Sequence, residues 1–341
     1  MPWISSIRFN LNFLSMNEGL LPFQKVLEIL LDKGRDIPQG YLSSFSDIEP
    51  ASLASLLETW PRVGLDRKLL LLDQLNSLAN EDTLVSFDDL GHALLTDSDP
   101  QVRIRAMRLL VECENVRLVP IYTNMLKNDN DVAIRAEAAS MLGLFVQLGE
   151  FEDIPDETHH QIEDVLLEVF STEEEPSVRR RVLEALGFSS RDEVPVLIES
   201  SFNRQDPDWQ ASALFAMGRS NDERWADQVL RMLISDNRRI RLAAVQAAGE
   251  LGLKPARPLL LQLLEEEFDD VIAGAAIWSL SQIGGEDVRI YLQNLLDNME
   301  DDYQAGFLEE ALDNLAFTDD MSHFDLLALD TDEPDDIDLE D

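Results

Sequence analysis

The chain has 341 residues, 45% of them apolar, and its 27 Lys+Arg against 67 Asp+Glu give a formal net charge of −40. That balance excludes binding to nucleic acid through phosphate neutralisation and docking on an anionic membrane, while the apolar share suffices for a packed core. Cys113 is the single cysteine, which removes a disulfide framework and any cysteine-based zinc site; a reducing, cytoplasmic setting is expected.

The apolar runs read as too short to span a membrane. Residues 1–10 lack the charged and apolar regions of a secretory leader. Met16 opens a clean helical pattern, so residues 1–16 are expected to be disordered or to precede the true start. Residues 17–85 read as a helical N-terminal cap, with apolar runs at 23–31, 51–57 and 69–75 and a degenerate repeat copy around Arg67 and Leu70.

From residue 86 to 316 the sequence repeats itself, which is the first thing to settle in a helical chain. Taking Arg103, Arg135, Arg179, Gln210, Arg241, Ala273 and Ala305 as register zero, the spacings are 32, 44, 31, 31, 32 and 32 residues. One position earlier stand Val102, Ile134, Val178, Trp209, Ile240, Ile272 and Gln304. Three later come Ala106, Ala138, Val182, Ala213, Ala244, Ala276 and Leu308; seven later come Leu110, Leu142, Leu186, Met217, Ala248, Leu280 and Leu312. Offsets −1, +3 and +7 share one face of an α-helix. Gly143, Gly187, Gly218 and Gly249 stand at +8, where either a left-handed helix end or a close contact calls for glycine. An acidic turn such as Asp97-Ser-Asp-Pro100 precedes each of these helices and supplies its cap, and a second amphipathic helix precedes the turn. Such a unit, helix A, turn and helix B, cannot bury its own apolar faces, so the copies must stack as an α-solenoid. The 44-residue spacing implies an acidic inter-repeat insertion near residues 149–157, read as a surface loop or a partner contact. Residues 317–341, with no Lys or Arg among residues 318–341, are expected to form a disordered acidic tail that solubilises the chain or binds a partner.

The segment Asp99-Pro-Gln-Val-Arg-Ile-Arg-Ala106 resembles the HEAT repeat, in the short bacterial form named after phycobilisome-lyase proteins. The resemblance implies an all-α, right-handed α-solenoid of about seven HEAT repeats, with B helices lining a concave surface that holds partners. It also implies Asp–Arg ladders between copies, a role the planar guanidinium suits. Arg105, Arg108, Arg180 and Arg181 fit such a ladder less readily and are candidates for a local basic spot.

No catalytic set is found. The four histidines, His92, His159, His160 and His323, form no His-Glu-x-x-His motif, and the chain lacks the His-Glu dipeptides of HEAT-type deoxyhypusine hydroxylases. His159 and His160, beside Glu157 and Glu163, read as a solvated helix start rather than a metal site. Gly284-Gly285 is not followed by the Lys-Ser/Thr of a phosphate loop. Cys113, between Glu112 and Glu114, is read as an unreactive thiol. Neither cofactor nor metal is expected.

Offsets +1, +5 and +9 should form the outward stripe of the B helices. At +5 polar residues dominate except at Phe215 and Trp278, with Ala211, Arg219, Leu242, Gly274 and Gln282 around them. Two readings stay open: a groove for an apolar anchor, or rings packed between adjacent B helices. The expected function is a non-catalytic scaffold or adaptor for another protein, with a basic partner favoured by the charge. Its binding residues would be Phe215, Arg219, Leu242, Gln246, Trp278 and Gln282. The alternatives are an acidic chaperone or nucleic-acid mimic for a basic client and, more remotely, a HEAT-type bilin lyase subunit.

Overall fold

The computed structural model describes residues 23–32, 34, 37–267 and 269–329, with side chains in the last helix to residue 320. These residues form helices and turns and contain no strand. The chain divides into two compact units, one ending at Leu186 and the other beginning at Gly187. The expectation for residues 1–16 lies outside the described residues.

In the first unit, helices α1 (Phe23–Leu31) and α2 (Pro50–Thr59) lead into α3 (Leu65–Glu81). Three A–B pairs follow: α4 (Asp88–Leu94) with α5 (Pro100–Leu109), α6 (Val119–Asn128) with α7 (Val132–Glu150), and α8 (Asp156–Thr172) with α9 (Pro176–Leu186). Each B helix also packs on the next, and α3 packs on α5 in the same way. This corrects the register of the cap. Lys68, not Arg67, stands at position zero, because Lys68 pairs with Asp97 and Leu71 and Leu75 fill +3 and +7 with no exposure.

The second unit repeats the scheme with α10 (Glu193–Phe202) and α11 (Pro207–Arg219), α12 (Ala226–Met232) and α13 (Arg238–Glu250), α14 (Arg257–Glu266) and α15 (Asp270–Ile283), then α16 (Glu286–Asp297) and α17 (Asp302–Leu329). From the Arg103 copy to the Ala273 copy, the residues at −1, +3 and +7 are all buried. In the last copy Gln304 is exposed and burial passes to Leu308, Ala311 and Leu315, since among the described residues no further B helix covers α17.

The turns build the helix starts as the capping rule requires. Asp99, Asp131, Asp206, Asn237 and Asp269 each accept a hydrogen bond from a backbone N–H two residues on. Two residues before Asp99, Asp131, Glu175 and Asp269, the carboxylates of Asp97, Asp129, Glu173 and Glu267 brace the turn by accepting the N–H two residues ahead. The same carboxylates take the preceding copy's cation: Lys68 to Asp97 at 3.1 Å, and Arg103 to Asp129, Arg135 to Glu173 and Arg241 to Glu267, each at 2.9 Å. A further guanidinium nitrogen of Arg103, Arg135 and Arg241 reaches back to the carbonyl of Asp97, Asp129 and Ser235.

Burial works against the Asp97 carboxylate. The Asp99 amide, the Trp60 indole N–H and the Lys68 ammonium outweigh it and hold the carboxyl below its ordinary value. Burial opposes ionisation at Glu173 too, and Arg135 with the neighbouring amides overcomes it.

Three expectations change. Most of the long spacing goes into helix, lengthening α7 to 19 residues and α8 to 17, and the acidic loop expected near 149–157 shrinks to residues 151–155 with exposed Glu152 and Asp153. Helix α7 thereby has the length and apolarity of a membrane span, and half of that window is buried in the repeat stack. The tail expected to be disordered from 317 begins as helix, because α17 runs to Leu329. Asp319 anchors it, accepting from the Gly285 N–H at 3.1 Å and pairing with Arg289 at 2.6 Å. Residues 330–341 lie outside the described residues.

The basic spot is dispersed as well. Arg105 pairs with Asp73, Arg108 with Glu137 and Arg181 with Glu184.

Candidate partner-binding face of the B helices

Glycine at +8 sets how closely the B helices of the second unit approach. A Cβ on Gly187 would lie 2.8 Å from Ala216 Cα, one on Gly218 2.9 Å from Ala247 Cα, and one on Gly249 2.7 Å from Ser279 Cα. None of the three has a positive φ, so close backbone approach, not a left-handed helix end, requires glycine here. The partner residue is each time the small side chain at +6. Ser279 completes the seam by donating its hydroxyl to the Val245 carbonyl at 2.8 Å.

That approach brings the +9 side chains into one row, each folded over the preceding glycine. Arg219 Cβ covers Gly187, the Glu250 carboxylate covers Gly218 and the Gln282 amide oxygen covers Gly249. Arg219 is the centre of the row. Its guanidinium lies 4.1 Å from the Phe215 ring centroid and 4.6 Å from that of Phe188. A cation held between two aromatic faces is stabilised by both ring quadrupoles. Glu250 opens to solvent on one side and is crowded by protein on the others. That crowding raises its carboxyl above the ordinary value, with the Arg219 charge pulling the other way.

The six residues singled out from sequence, Phe215, Arg219, Leu242, Gln246, Trp278 and Gln282, are all half-buried. Phe215 and Arg219 meet on α11. Leu242 and Gln246 lie on α13, and Trp278 and Gln282 on α15, so α13 stands between the two aromatic anchors. Trp278 pairs with Phe307 of α17, ring centroids 6.5 Å apart and planes tilted by 30°. The two aromatics therefore line no single open groove. One is roofed by a guanidinium, the other shares its face with a second ring.

Sequence reasoning missed Phe188. Its signal was the register, since 188 is the +9 position of the Arg179 copy, in line with Arg219. Cys113 is half-buried, and burial followed by the neighbouring Asp88 raises its thiol above the ordinary value. A hollow of about 470 Å³ lined by Ser98, Arg103, Asn124, Asn128, Asp129 and Asp131 belongs to the first unit and opens to solvent at the turns.

Stacked A–B helix pairs joined by capped turns define the α-solenoid class of repeat protein. Residues 194–281 match the family described as HEAT repeats. Beyond that segment the likeness to solved structures shows the fold, an α-solenoid of HEAT type. The chain is similar to the complex of CpcE and CpcF of phycocyanin lyase from Nostoc sp. PCC7120, with a TM-score of 0.51 and 17% identity over 83% of this chain and 97% of that one. Looser likenesses are to YibA of E. coli, with TM-score 0.39 and 16% identity over 84% and 98% of the two chains. Human deoxyhypusine hydroxylase follows, with TM-score 0.33 and 14% identity over 76% and 95%. At these identities the likeness concerns the fold alone. No curated protein matches the sequence.

Proposed function

We propose that this protein is a non-catalytic scaffold that holds a partner protein on the B-helix stripe of the second unit. The observation that carries this reading is Arg219 between Phe188 and Phe215, in one row with Glu250 and Gln282. Half-exposed aromatics and arginine are the residue types that dominate binding hot spots. The row alternates ring, cation, carboxylate and amide, which suits a polar peptide with an apolar anchor. The net charge of −40 would speed encounter with a basic partner. The solenoid fold supports protein binding more directly than chemistry, and bilin handling finds no specific support beyond the likeness in fold to a lyase complex.

The test is recovery of the partner by wild type and by Phe215→Ala/Trp278→Ala at matched stability. Loss of recovery is expected from that double variant but not from Val196→Ala/Ile234→Ala, which trims exposed side chains of the same unit outside the stripe. Equal recovery by all three proteins would sink the assignment.

A further inference from the structure

Helix α7 ends at Glu150, and α8 carries His159 and Glu163 four residues apart on one face. His159 is not a solvated residue at a helix start. Its imidazole turns inward and lies on Gly149, where an added Cβ would come within 2.2 Å of the ring. Nε2 of His159 is buried and has no hydrogen-bond partner. It stands 3.6 Å from a carboxylate oxygen of Glu150 and 3.6 Å from one of Glu163, beyond hydrogen-bond range. All three donor atoms lie within 4.8 Å of one another, and Glu163 is 98% buried. One unpartnered imidazole nitrogen and two carboxylate oxygens thus face a common point at the junction of α7 and α8.

The two imidazole–carboxylate distances of 3.6 Å suit a small tetrahedral ion. A tetrahedral ion about 2.0–2.2 Å from nitrogen and oxygen donors sets those donors roughly 3.3–3.6 Å apart. One imidazole and two carboxylates form a donor set for zinc or a neighbouring first-row divalent metal, and three protein ligands leave one position for water. The side chains of His159 and Glu150 keep 12% and 23% of their exposure, which gives the ion and its water a way in.

We propose that Glu150, His159 and Glu163 form a zinc-class metal site that clamps the end of α7 to α8 across residues 151–155. One donor atom from each of the three side chains would hold the ion.

The probe is Co²⁺, titrated into chelator-treated full-length protein in excess Mg²⁺, which occupies the many surface carboxylates. The expected result is one cobalt per chain with the intense visible bands of tetrahedral coordination, displaced by Zn²⁺, and a melting temperature raised by Zn²⁺. His159→Gln and Glu163→Gln should each abolish the bands, whereas Glu157→Gln, an exposed acid on the same helix, should keep them. Should Glu163→Gln fail to fold, Glu150→Gln at the half-buried end of α7 reads the same ligand set. Bands that persist in His159→Gln would overturn the site. So would a weak octahedral spectrum with a melting temperature indifferent to Zn²⁺, which would leave a protonated imidazole as the cation between the carboxylates.

Discussion

Arg135 donates to the Glu173 carboxylate at 2.9 Å and to the Asp129 carbonyl at 3.0 Å, so one guanidinium ties its own turn to the next. Both side chains are mostly buried, so removing either one strands a charge. Arg135→Gln and Glu173→Gln are each expected to lower unfolding free energy by about 2 kcal/mol. The double variant should cost clearly less than their sum, as read by urea denaturation in a double-mutant cycle.

The same rungs set the acid response. The folded Glu173 and Asp97 carboxyls lie below their ordinary values. Their contribution is therefore complete above the ordinary carboxylate values of about 4 and lost as pH falls through the lowered ones. Stability should drop in that window, and Glu173→Gln should flatten the drop. An unchanged acid profile in this variant would contradict the rung's role.

The glycine seam makes a prediction of opposite signs. Gly218→Ala and Gly249→Ala push a methyl against backbone and should each destabilise by about 1–3 kcal/mol. Gly306 sits inside α17 with nothing within 4 Å of an added Cβ. Gly306→Ala should therefore stabilise by about 0.5–1 kcal/mol through lost unfolded-state freedom. Thermal melts of the three variants check both signs.

The stacked row predicts an inversion at Glu250. Its folded carboxyl is raised, so the unfolded state ionises first and the group detracts from stability as pH rises through the folded value. Glu250→Gln should stabilise the protein at neutral pH, with the gain vanishing in acid. Arg219→Ala should enlarge that gain, because it removes the charge that lowers the Glu250 carboxyl.

At the far end, Asp319 holds the Gly285 amide and Arg289. Asp319→Ala should cost about 1–2 kcal/mol. A chain ended at residue 316 should melt below one ended at 329.

Most of the architecture was legible because the repeat obeys helix periodicity at −1, +3 and +7 and announces its turns with caps. The ladder was legible in kind, as cations at zero after acidic turns, and the structure adds its wiring. The degenerate copy slipped by one residue because Arg67 looks more like the other zero positions than Lys68 does, and only the pairing to Asp97 settles it. The long helices α7 and α8 were hidden because extra turns and an extra loop add the same number of residues. The row through Phe188 was missed because +9 lies beyond the conspicuous glycine. His159 was misplaced because nothing local says that Gly149, ten residues earlier, opens a berth for its ring.

The wiring between turns also makes the copies non-interchangeable parts. Six residues before register zero stand Asp97, Asp129, Glu173, Arg204, Ser235, Glu267 and Met299. An acid appears there only where the preceding copy offers Lys68, Arg103, Arg135 or Arg241; Gln210 is followed by Ser235, and Ala273 by Met299. Even Arg179, followed by Arg204, turns instead to the Phe170 carbonyl, while Arg204 lies over the Trp209 ring. Each junction thus carries its own address. An engineer who duplicates, deletes or shuffles one copy must rewrite the matching residue in its neighbour, or leave a carboxylate facing no cation at the new seam.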